Sequence, residues 1–255
     1  AEPISCVVSA QDHHIHLVQQ SPGDRRDAIK GLKPGGVTVI VGAGAMGRMH
    51  IDLALSYRPE TILVADLIEE RLELVRQLFA ERAEAVGVDL HTANPTQTNF
   101  RALLDELTAS SGADDVIVAV GSGRAIESAQ HYAGRGAVLN LFGGLKSGED
   151  IVGLDTGIVH YLEINVTGSS GGSPWDVART LDLMAAGEID AGKHISRVGD
   201  LDHAVEFLEM VKAQRIDGKA VVYPHRRGEE VLSVPFWSPQ DEQAYLRAGG
   251  SGPWH

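Results

Sequence analysis

A glycine-rich turn between two apolar runs constrains the fold of this chain more than any other feature. Gly42, Gly44 and Gly47 follow the apolar run Val37–Val41 and open a stretch of helical character. A second apolar run ends at Asp66, 19 residues after Gly47. A G-x-G-x-x-G turn between a strand and a helix, followed about 20 residues later by an acid, is the fingerprint of a dinucleotide-binding βαβ unit.

Each residue of this turn has a physical task in that fingerprint. Gly42 permits the tight turn out of the strand, Gly44 lets a pyrophosphate approach the backbone, and Gly47 lets the helix pack closely on the sheet. The N–H groups near Ala45 and Met46 start the helix, where free donors and the helix dipole favour phosphates. The turn therefore predicts cofactor contacts at all five positions.

The identity of the dinucleotide depends on Asp66 and Arg71. A carboxylate at position 66 accepts hydrogen bonds from the ribose hydroxyls and repels a 2′-phosphate, which predicts NAD rather than NADP. Arg71, five residues further on, leaves two interpretations open. Its guanidinium either contacts the cofactor and favours NADP, or is solvated on the helix predicted over residues 69–85.

The composition excludes several classes of partner. A chain of 255 residues is long enough for one large domain or two small ones. Its formal net charge of -13 disfavours nucleic acid and anionic membranes. No apolar run is long enough to span a membrane, and no secretory signal is visible. The single cysteine, Cys6, cannot form an internal disulfide, which fits a reducing compartment, and we expect a cytoplasmic protein.

Strands and helices alternate after the turn, which predicts an α/β fold with a parallel sheet covered by helices on both faces. Further strands are predicted over residues 89–93, 115–120 and 137–141, from residue 164, and over 219–224. Further helices are predicted over residues 99–108, 124–131, 174–186 and 202–213. Residues 225–255, rich in Pro, Gly and charge, are expected to be loosely ordered, with Trp237, Tyr245 and Trp254 docked on the body or free.

Small residues follow three of the predicted strands. They are Gly121, Ser122 and Gly123 after one strand, Gly143 and Gly144 after the next, and Gly168 and Ser169 after the third. Ligands of an open α/β sheet bind outside the carboxyl ends of its strands, so these residues favour a channel for the nicotinamide and its ribose. We assign Val120, Gly121, Phe142 and Gly143 to the cofactor site. The alternative is that glycine simply ends strands well.

A histidine-rich segment near the start leaves two interpretations open. His13, His14 and His16 stand close together beside Asp12, and on a helix His13 and His16 would share one face. They either bind a metal ion or are solvated residues of that helix. Further along, His160 either faces the cofactor or packs at the entrance of the sixth strand.

The order of the motifs along the chain resembles that of a known protein family. GAGAMG, VADL, VIVAVGSG, VLNLFGG, HYLEINVTGSSGG and IDGKAVVYP occur in the order of the coenzyme domain of the medium-chain dehydrogenases. The chain resembles the zinc-type alcohol, sorbitol and threonine dehydrogenases of that superfamily over residues 1–223. AEPISCVVSA resembles the segment of the sorbitol dehydrogenase branch that links its two domains, and the sorbose-1-phosphate reductase-like proteins look most similar.

The resemblance implies a doubly wound Rossmann sheet of about six parallel strands in the order 3-2-1-4-5-6. It also implies NAD as cofactor, zinc in the full-length parent, and hydride transfer between NAD and a secondary alcohol of a polyol, sugar or sugar phosphate. Self-association into a homo-oligomer follows by the same analogy. The expected division is a linking helix and connection over residues 1–34, an NAD-binding domain over 35–223 and a tail over 224–255.

The main difference between this chain and the family pattern concerns the family's catalytic half. The GroES-like catalytic domain, which supplies a Cys and a His to the catalytic zinc, is absent or nearly so, and the catalytic residues are therefore unknown. Glu2 matches the position of a third zinc ligand, but a catalytic zinc needs three protein ligands. We expect this chain alone to be inactive. The alternative is an NAD-binding module without catalytic activity, as in a sensor or a structural protein.

Overall fold

The chain folds into two compact units, Ala1–Ile189 and Asp190–His255. A computed structural model describes residues 1–213, 215–227 and 230–248. The elements of the first unit are α1 (Glu2–Asp12), β1 (Ile15–Val18), β2 (Asp27–Lys30), β3 (Val37–Val41), α2 (Ala45–Tyr57), β4 (Thr61–Ala65), α3 (Glu69–Val86), β5 (Asp89–Ala93), α4 (Phe100–Leu107), β6 (Ala113–Val118), α5 (Gly123–Ala129), β7 (Ala133–Leu141), α6 (Thr156–Tyr161), β8 (Asn165–Thr167) and α7 (Pro174–Ala185).

A six-stranded parallel sheet forms the centre of the first unit. Its strand order is β5-β4-β3-β6-β7-β8, which is the order 3-2-1-4-5-6 expected from the sequence. The predicted Rossmann fold is therefore confirmed. The order reverses between β3 and β6, where Val39 of β3 pairs with Leu63 of β4 on one side and Val116 of β6 on the other.

Alternating strand residues build one apolar core on each face of this sheet. On one face, Val39 and Val116 pack with Phe100 and Leu104 of α4. On the other face, the core holds Ile40, Ile62, Ile117, Ile51, Leu55, Leu72 and Phe79, which belong to the strands, to α2 and to α3. Because each central strand is buried on both faces, its sequence is a continuous apolar run rather than an alternating pattern.

The second unit contains a small sheet of its own. Its elements are β9 (Ile195–Asp200), α8 (Ala204–Lys212), β10 (Lys219–Tyr223), β11 (Leu232–Ser233) and α9 (Pro239–Ala248). The sheet order is β10-β9-β11, so the strand predicted over 219–224 does not extend the six-stranded sheet. The two compact units divide between Ile189 and Asp190. The boundaries expected at residues 34 and 223 stay a prediction.

Part of the tail is ordered, which differs from the sequence expectation. Trp237 and Tyr245 are 7% and 8% exposed and pack with Val198 of β9. The indole N–H of Trp237 donates to the Tyr223 hydroxyl over 3.0 Å, and that hydroxyl donates to Glu242 over 2.6 Å. Trp254 lies outside the described residues.

The first helix ends before the three histidines, so they do not lie on a helix as the sequence suggested. Helix α1 ends at Asp12 with His13 as its C-cap, and His16 belongs to β1, which pairs with β2. The prediction that His13 and His16 share a helix face is therefore wrong. His13 is exposed, whereas His14 and His16 are 0% and 4% exposed, so these two are not solvated either.

Polar contacts hold α1 and β1 on the sheet. The Asp115 carboxylate of β6 lies 2.5 Å from His14 Nδ1 and 2.9 Å from His16 Nε2, and it accepts the backbone N–H of Lys33 over 2.9 Å. The amide of Asn140 in β7 donates to the Ala10 carbonyl over 2.9 Å. The polar residues Asp115 and Asn140 thus occur within apolar strands because they bind the segment that covers the sheet.

A buried amide–imidazole contact joins α1 to α2. The Gln11 amide donates to the His50 carbonyl over 3.1 Å and lies 3.2 Å from His50 Nδ1. The His50 ring meets Phe142 edge-on with 4.4 Å between ring centroids. Burial, and then the nearby charge of His14, lower the pKa of His50 to about 3. His50 is therefore neutral in the folded protein near neutral pH.

Among the described helices, none combines the length and apolar character that a membrane span requires.

Replacing Gly47 with alanine should destabilise the fold. A Cβ on Gly47 would lie 1.8 Å from the Gly42 carbonyl oxygen, so the start of α2 would have to move away from β3. We expect Gly47→Ala to lower the free energy of unfolding by about 1–3 kcal/mol or more, as overpacking does. Urea denaturation followed by circular dichroism measures this change.

The matched control is Gly44→Ala in the same turn. Gly44 has an ordinary backbone φ of -67°, and the nearest atom to an added Cβ is Arg71 Nη1 at 4.0 Å. Its stability should change by less than about 0.5 kcal/mol. Equal stability of the two variants would contradict the close packing of Gly47 on Gly42.

Acidification should weaken the fold through His50. Its pKa of about 3 in the folded protein lies below the ordinary 6.5, so below pH 6.5 the unfolded chain binds a proton that the folded chain does not. This residue should cost about 2 kcal/mol of unfolding free energy between pH 7 and pH 5. Denaturation at the two pH values should show a smaller loss for His50→Gln than for the wild type. The exposed His131→Gln should keep the wild-type loss, and an unchanged slope in His50→Gln would refute the assignment.

Candidate functional site

A cleft opens at the carboxyl ends of the central strands, where the strand order reverses. Its cavity of about 470 Å³ lies outside the ends of β3, β4 and β6. Ligands of open α/β sheets bind at this kind of position. The residues that line it are Val41, Gly42, Ala65, Asp66, Leu67, Ile68, Arg71, Pro95, Val120, Ser122, Arg124, Ala125, Ser128 and Tyr132.

The glycine turn forms one side of this region. Gly42 adopts a φ of +104°, which favours glycine, and its N–H donates to the Ala65 carbonyl over 2.7 Å. Helix α2 begins at Ala45 with Gly44 as its N-cap, and no side chain caps the first turn. The first N–H groups of an α-helix have no carbonyl partner within the helix. The start of α2 is therefore a suitable site for an anion.

Asp66 is held in place at the end of β4 by backbone donors. One carboxylate oxygen accepts the Ala43 N–H over 2.7 Å, and the other accepts the Ile68 N–H over 2.9 Å. The side chain is 8% exposed and lines the cleft. Because a carboxylate has about four lone-pair sites, the two backbone bonds leave acceptor capacity for ribose hydroxyls.

Arg71 lies at the cleft rather than being only a solvated residue of α3. Its Nη1 is 3.8 Å from the Asp66 carboxylate, and its side chain is 33% exposed. Arg124, at the start of α5, also lines the cavity and was not singled out in the sequence. Two guanidinium groups and one carboxylate therefore border the same cavity.

The predicted residues after β6 and β7 divide between the cleft and the packing beneath it. Val120 lines the cavity and is 37% exposed. Gly121 and Gly143 serve close approach instead, since a Cβ on Gly121 would lie 2.5 Å from the Gly144 carbonyl and one on Gly143 would lie 2.4 Å from Val120 backbone atoms. The Phe142 ring packs against His50 and partly against the core under α2.

The cleft has an apolar surface that the sequence analysis did not predict. Leu67 and Ile68 directly follow Asp66 and are 67% and 42% exposed, and Pro95 and Tyr132 complete this surface. Two large apolar side chains exposed at a strand end suit the flat face of a purine base. The signal was present in the sequence, because Leu67 and Ile68 continue the apolar run beyond the acid.

Glu2 does not form a metal site with other residues of the described chain. It is exposed at the start of α1, and its carboxylate lies 3.7 Å from the Cys6 sulfur. Burial, followed by the charge of Glu2, raises the pKa of the Cys6 thiol, which disfavours the thiolate that binds metals. Within residues 1–213, 215–227 and 230–248, the cluster of three potential ligands consists of His14, His16 and Asp115. The described residues therefore do not give Glu2 the further ligands that a catalytic zinc requires.

Two further histidines of the sequence analysis have clear positions. His160 is exposed on α6 and stacks edge-on against Tyr161, which is 73% exposed, so it is not packed at a strand entrance and does not line the cleft. His14 contacts Asp115 inside the fold. Burial alone would raise the pKa of Asp115, but hydrogen bonds from His14 and His16 outweigh it and lower the pKa to about 2.

Comparison with known proteins identifies relatives among sugar-phosphate oxidoreductases. The chain is 31% identical over 230 residues to mannitol-1-phosphate 5-dehydrogenase of Aliivibrio fischeri, covering 88% of this chain and 53% of that protein. It is 27% identical over 257 residues to L-sorbose 1-phosphate reductase of Klebsiella pneumoniae, covering 99% and 60%. The chain thus spans about half the length of the curated relatives it matches.

Solved structures share the fold at low identity. A short chain alcohol dehydrogenase of Escherichia coli CFT073, complexed with NADH, matches with a TM-score of 0.66 and 19% identity, covering 88% of this chain and 58% of that chain. A zinc-binding dehydrogenase of Sinorhizobium meliloti 1021, bound to NADP, matches with a TM-score of 0.64, 22% identity and the same coverages. At such identities the likeness supports the fold alone.

The family match is independent of these comparisons. The family described as zinc-binding dehydrogenase matches residues 45–186, which extend from the start of α2 just past the end of α7. This range contains the end of the glycine turn, Asp66 and the strands β4 to β8, and it is more than half of the chain. The chain belongs to the zinc-binding dehydrogenase family and contains its coenzyme-binding Rossmann fold.

Proposed function

We propose that this chain is the NAD-binding part of a zinc-type dehydrogenase that transfers hydride between NAD and a secondary alcohol of a polyol, sugar or sugar phosphate. The observation that carries the proposal is the glycine turn at the strand reversal, with Asp66 fixed beside it by the Ala43 N–H. An anion site at the start of α2 and a ribose acceptor at Asp66, close to each other, support this proposal.

The cofactor contacts follow from the chemistry of each residue. Pyrophosphate binds against Gly44 and the N–H groups of Ala45 and Met46 at the start of α2. The adenosine ribose binds at Asp66, and the adenine base lies on the apolar surface that includes Ile68. NAD itself supplies the carbon that accepts or donates the hydride.

The nicotinamide half of the cofactor lies beyond the ends of β6 and β7. Val120 borders the cleft, and Gly121 and Gly143 keep the two strand ends close together. Phe142 supports this region from below through its edge-on contact with His50. The residues of this region shape the channel, whereas the groups that hold the substrate and relay its proton lie outside the residues assigned here.

Asp66 favours NAD, although two cations border the same cavity. A 2′-phosphate would meet the carboxylate that Ala43 and Ile68 hold at the end of β4. Arg71 lies close enough to Asp66 to be partly neutralised by it, so its charge is not free to select NADP. The solved relatives with NADH and with NADP show that both cofactors occur on this fold.

The substrate class rests on the two relatives named for sugar phosphates. Zinc in the full-length protein would polarise the alcohol oxygen, in keeping with the family. We also propose a cytoplasmic location and a homo-oligomer, in keeping with the acidic composition and the family. The alternative is a module that binds NAD without turnover, favoured by the position of Glu2 apart from any described ligand cluster.

The chain should bind NADH more tightly than NADPH. The ribose-binding carboxylate of Asp66 repels the 2′-phosphate, so Asp66→Ala should weaken NADH binding and reduce the preference. Fluorescence titration with both cofactors measures the two dissociation constants. The exposed Glu70→Ala on α3 serves as the control and should keep the preference. Equal or tighter binding of NADPH by the wild type would overturn the NAD assignment.

Gly44→Ala should reduce NADH affinity without reducing stability. A methyl group at this position would stand between the backbone and the pyrophosphate, while nothing in the protein lies within van der Waals contact of it except Arg71 Nη1 at 4.0 Å. We expect at least a tenfold increase in the dissociation constant, which corresponds to about 1.4 kcal/mol. Calorimetric titration tests this, and unchanged affinity would place the phosphates elsewhere.

The 255-residue chain alone should show no zinc-dependent turnover of polyols or their phosphates. Glu2 is the one residue matched to the family's catalytic zinc, and one ligand cannot form that site. Absorbance at 340 nm would follow NADH formation with mannitol 1-phosphate and related alcohols. Robust turnover that depends on zinc would show that the catalytic groups lie within this chain.

A further inference from the structure

A buried cluster of three potential metal ligands shares no residue with the lining of the cofactor cleft. It joins His14 and His16, on either side of the start of β1, to Asp115 of β6. His14 Nδ1 is 2.5 Å and His16 Nε2 is 2.9 Å from the same oxygen, Asp115 Oδ1. Three ligand atoms from segments about 100 residues apart thus converge on one point.

Among the described residues, the Asp115 carboxylate pairs with the imidazoles of His14 and His16 and with no lysine or arginine side chain. The side chains of His14, His16 and Asp115 are 0%, 5% and 0% exposed. The ammonium group of Lys33 pairs with Asp114, and Lys33 gives Asp115 only its backbone N–H. A buried carboxylate is costly unless a cation compensates it. Either a protonated imidazole or a bound cation supplies that charge here.

The unpaired Nε2 atom of His14 disfavours a neutral imidazole that only donates from Nδ1 to Asp115. The amide oxygens of Gln11 and Asn140 and the Nε2 atom of His14 are buried without a hydrogen-bond partner among the described residues. A neutral His14 that donates from Nδ1 leaves Nε2 as a buried acceptor without a donor among the described residues. Ligation of a metal through Nδ1 moves the proton to Nε2, which turns this atom into a donor.

We propose that His14 Nδ1, His16 Nε2 and the Asp115 carboxylate bind a divalent transition-metal ion of the zinc class. Two imidazoles and a carboxylate are ligands that zinc prefers. Ligand atoms of a tetrahedral zinc lie about 3.3 Å apart, given bonds of about 2.0–2.1 Å, so each imidazole must withdraw by less than about 1 Å. The Lys33 N–H on the second carboxylate oxygen orients Asp115 toward the ion.

The ion would have a structural role at this position. It would tie the segment after α1 to the first residues of β6, beneath the helix whose Gln11 contacts His50 of α2. Because the ligands are buried, the site offers no path for a substrate.

Metal titration of the whole chain tests the proposal. The protein is stripped with a chelator, dialysed and titrated with Zn²⁺ in competition with a chromophoric chelator, and bound metal is counted by mass spectrometry. We expect one equivalent per chain and a rise in melting temperature. His16→Gln and Asp115→Asn should weaken binding by more than about 100-fold, since loss of an outer-shell partner alone costs about 10–100-fold.

Two matched variants locate the ion. His13 is exposed, and its Nδ1 contacts the Ser9 carbonyl. The variant His13→Gln, three residues from His16, should therefore keep full binding. Glu2→Gln should also keep it. Loss of binding in Glu2→Gln, retention in folded His16→Gln, or no binding by the wild type would each overturn the proposal.

A direct measurement on the wild type covers the case in which the buried variants fail to fold. Nitrogen-15 NMR of the histidine side chains should show ligation shifts at His14 Nδ1 and His16 Nε2 when Zn²⁺ is added. The resonances of His13 and His50 should not show them. Ligation shifts at other histidines, with none at His14 and His16, would refute the site.

Discussion

The close approach of the α2 start to the end of β3 is the constraint on which the rest of the site depends. Gly47 packs so near the Gly42 carbonyl that even one methyl group would overlap with it. This contact sets where the helix begins, and so where its unpaired N–H groups point. The same turn carries Ala43, whose N–H holds the Asp66 carboxylate at the end of β4. A steric requirement of the backbone thereby positions both the start of α2 and the Asp66 carboxylate, the two groups proposed to bind the cofactor.

Polar contacts inside the fold have a second organising role. Asp115 receives two imidazoles and a backbone N–H, and Asn140 holds the end of α1. Both polar residues lie on strands that are otherwise apolar, and each compensates its burial with specific partners, as buried polar groups require. They fix the first segment on the same sheet face as the α2 core. The coenzyme-binding fold and the segment before it are therefore one compact unit.

Much of the central architecture was predictable because it depends on local patterns. Apolar runs defined β3, β4 and β6, and helical spacing defined α4, with Asn99 as the N-cap that accepts from the Ala102 N–H. The histidine-rich segment was not predictable in the same way. Its polar residues resemble a solvated helix, and only the position of Asp115, about 100 residues away, makes His14 and His16 interior residues. Long-range charge pairing leaves no periodic signal in a sequence.

The dinucleotide fingerprint and the acid at its end could be predicted from the sequence, because they depend on glycine geometry and on short spacings. The strand order was predicted from the family resemblance. Which glycines are required by close packing became clear only in the folded structure. Gly121 and Gly143 follow strands in the same manner as Gly42, yet their requirement comes from the backbone of a neighbouring segment. The tertiary structure also decided that β10 belongs to a separate sheet and that Arg124 borders the cleft. Such relations depend on contacts between distant segments, which form only when the whole chain packs.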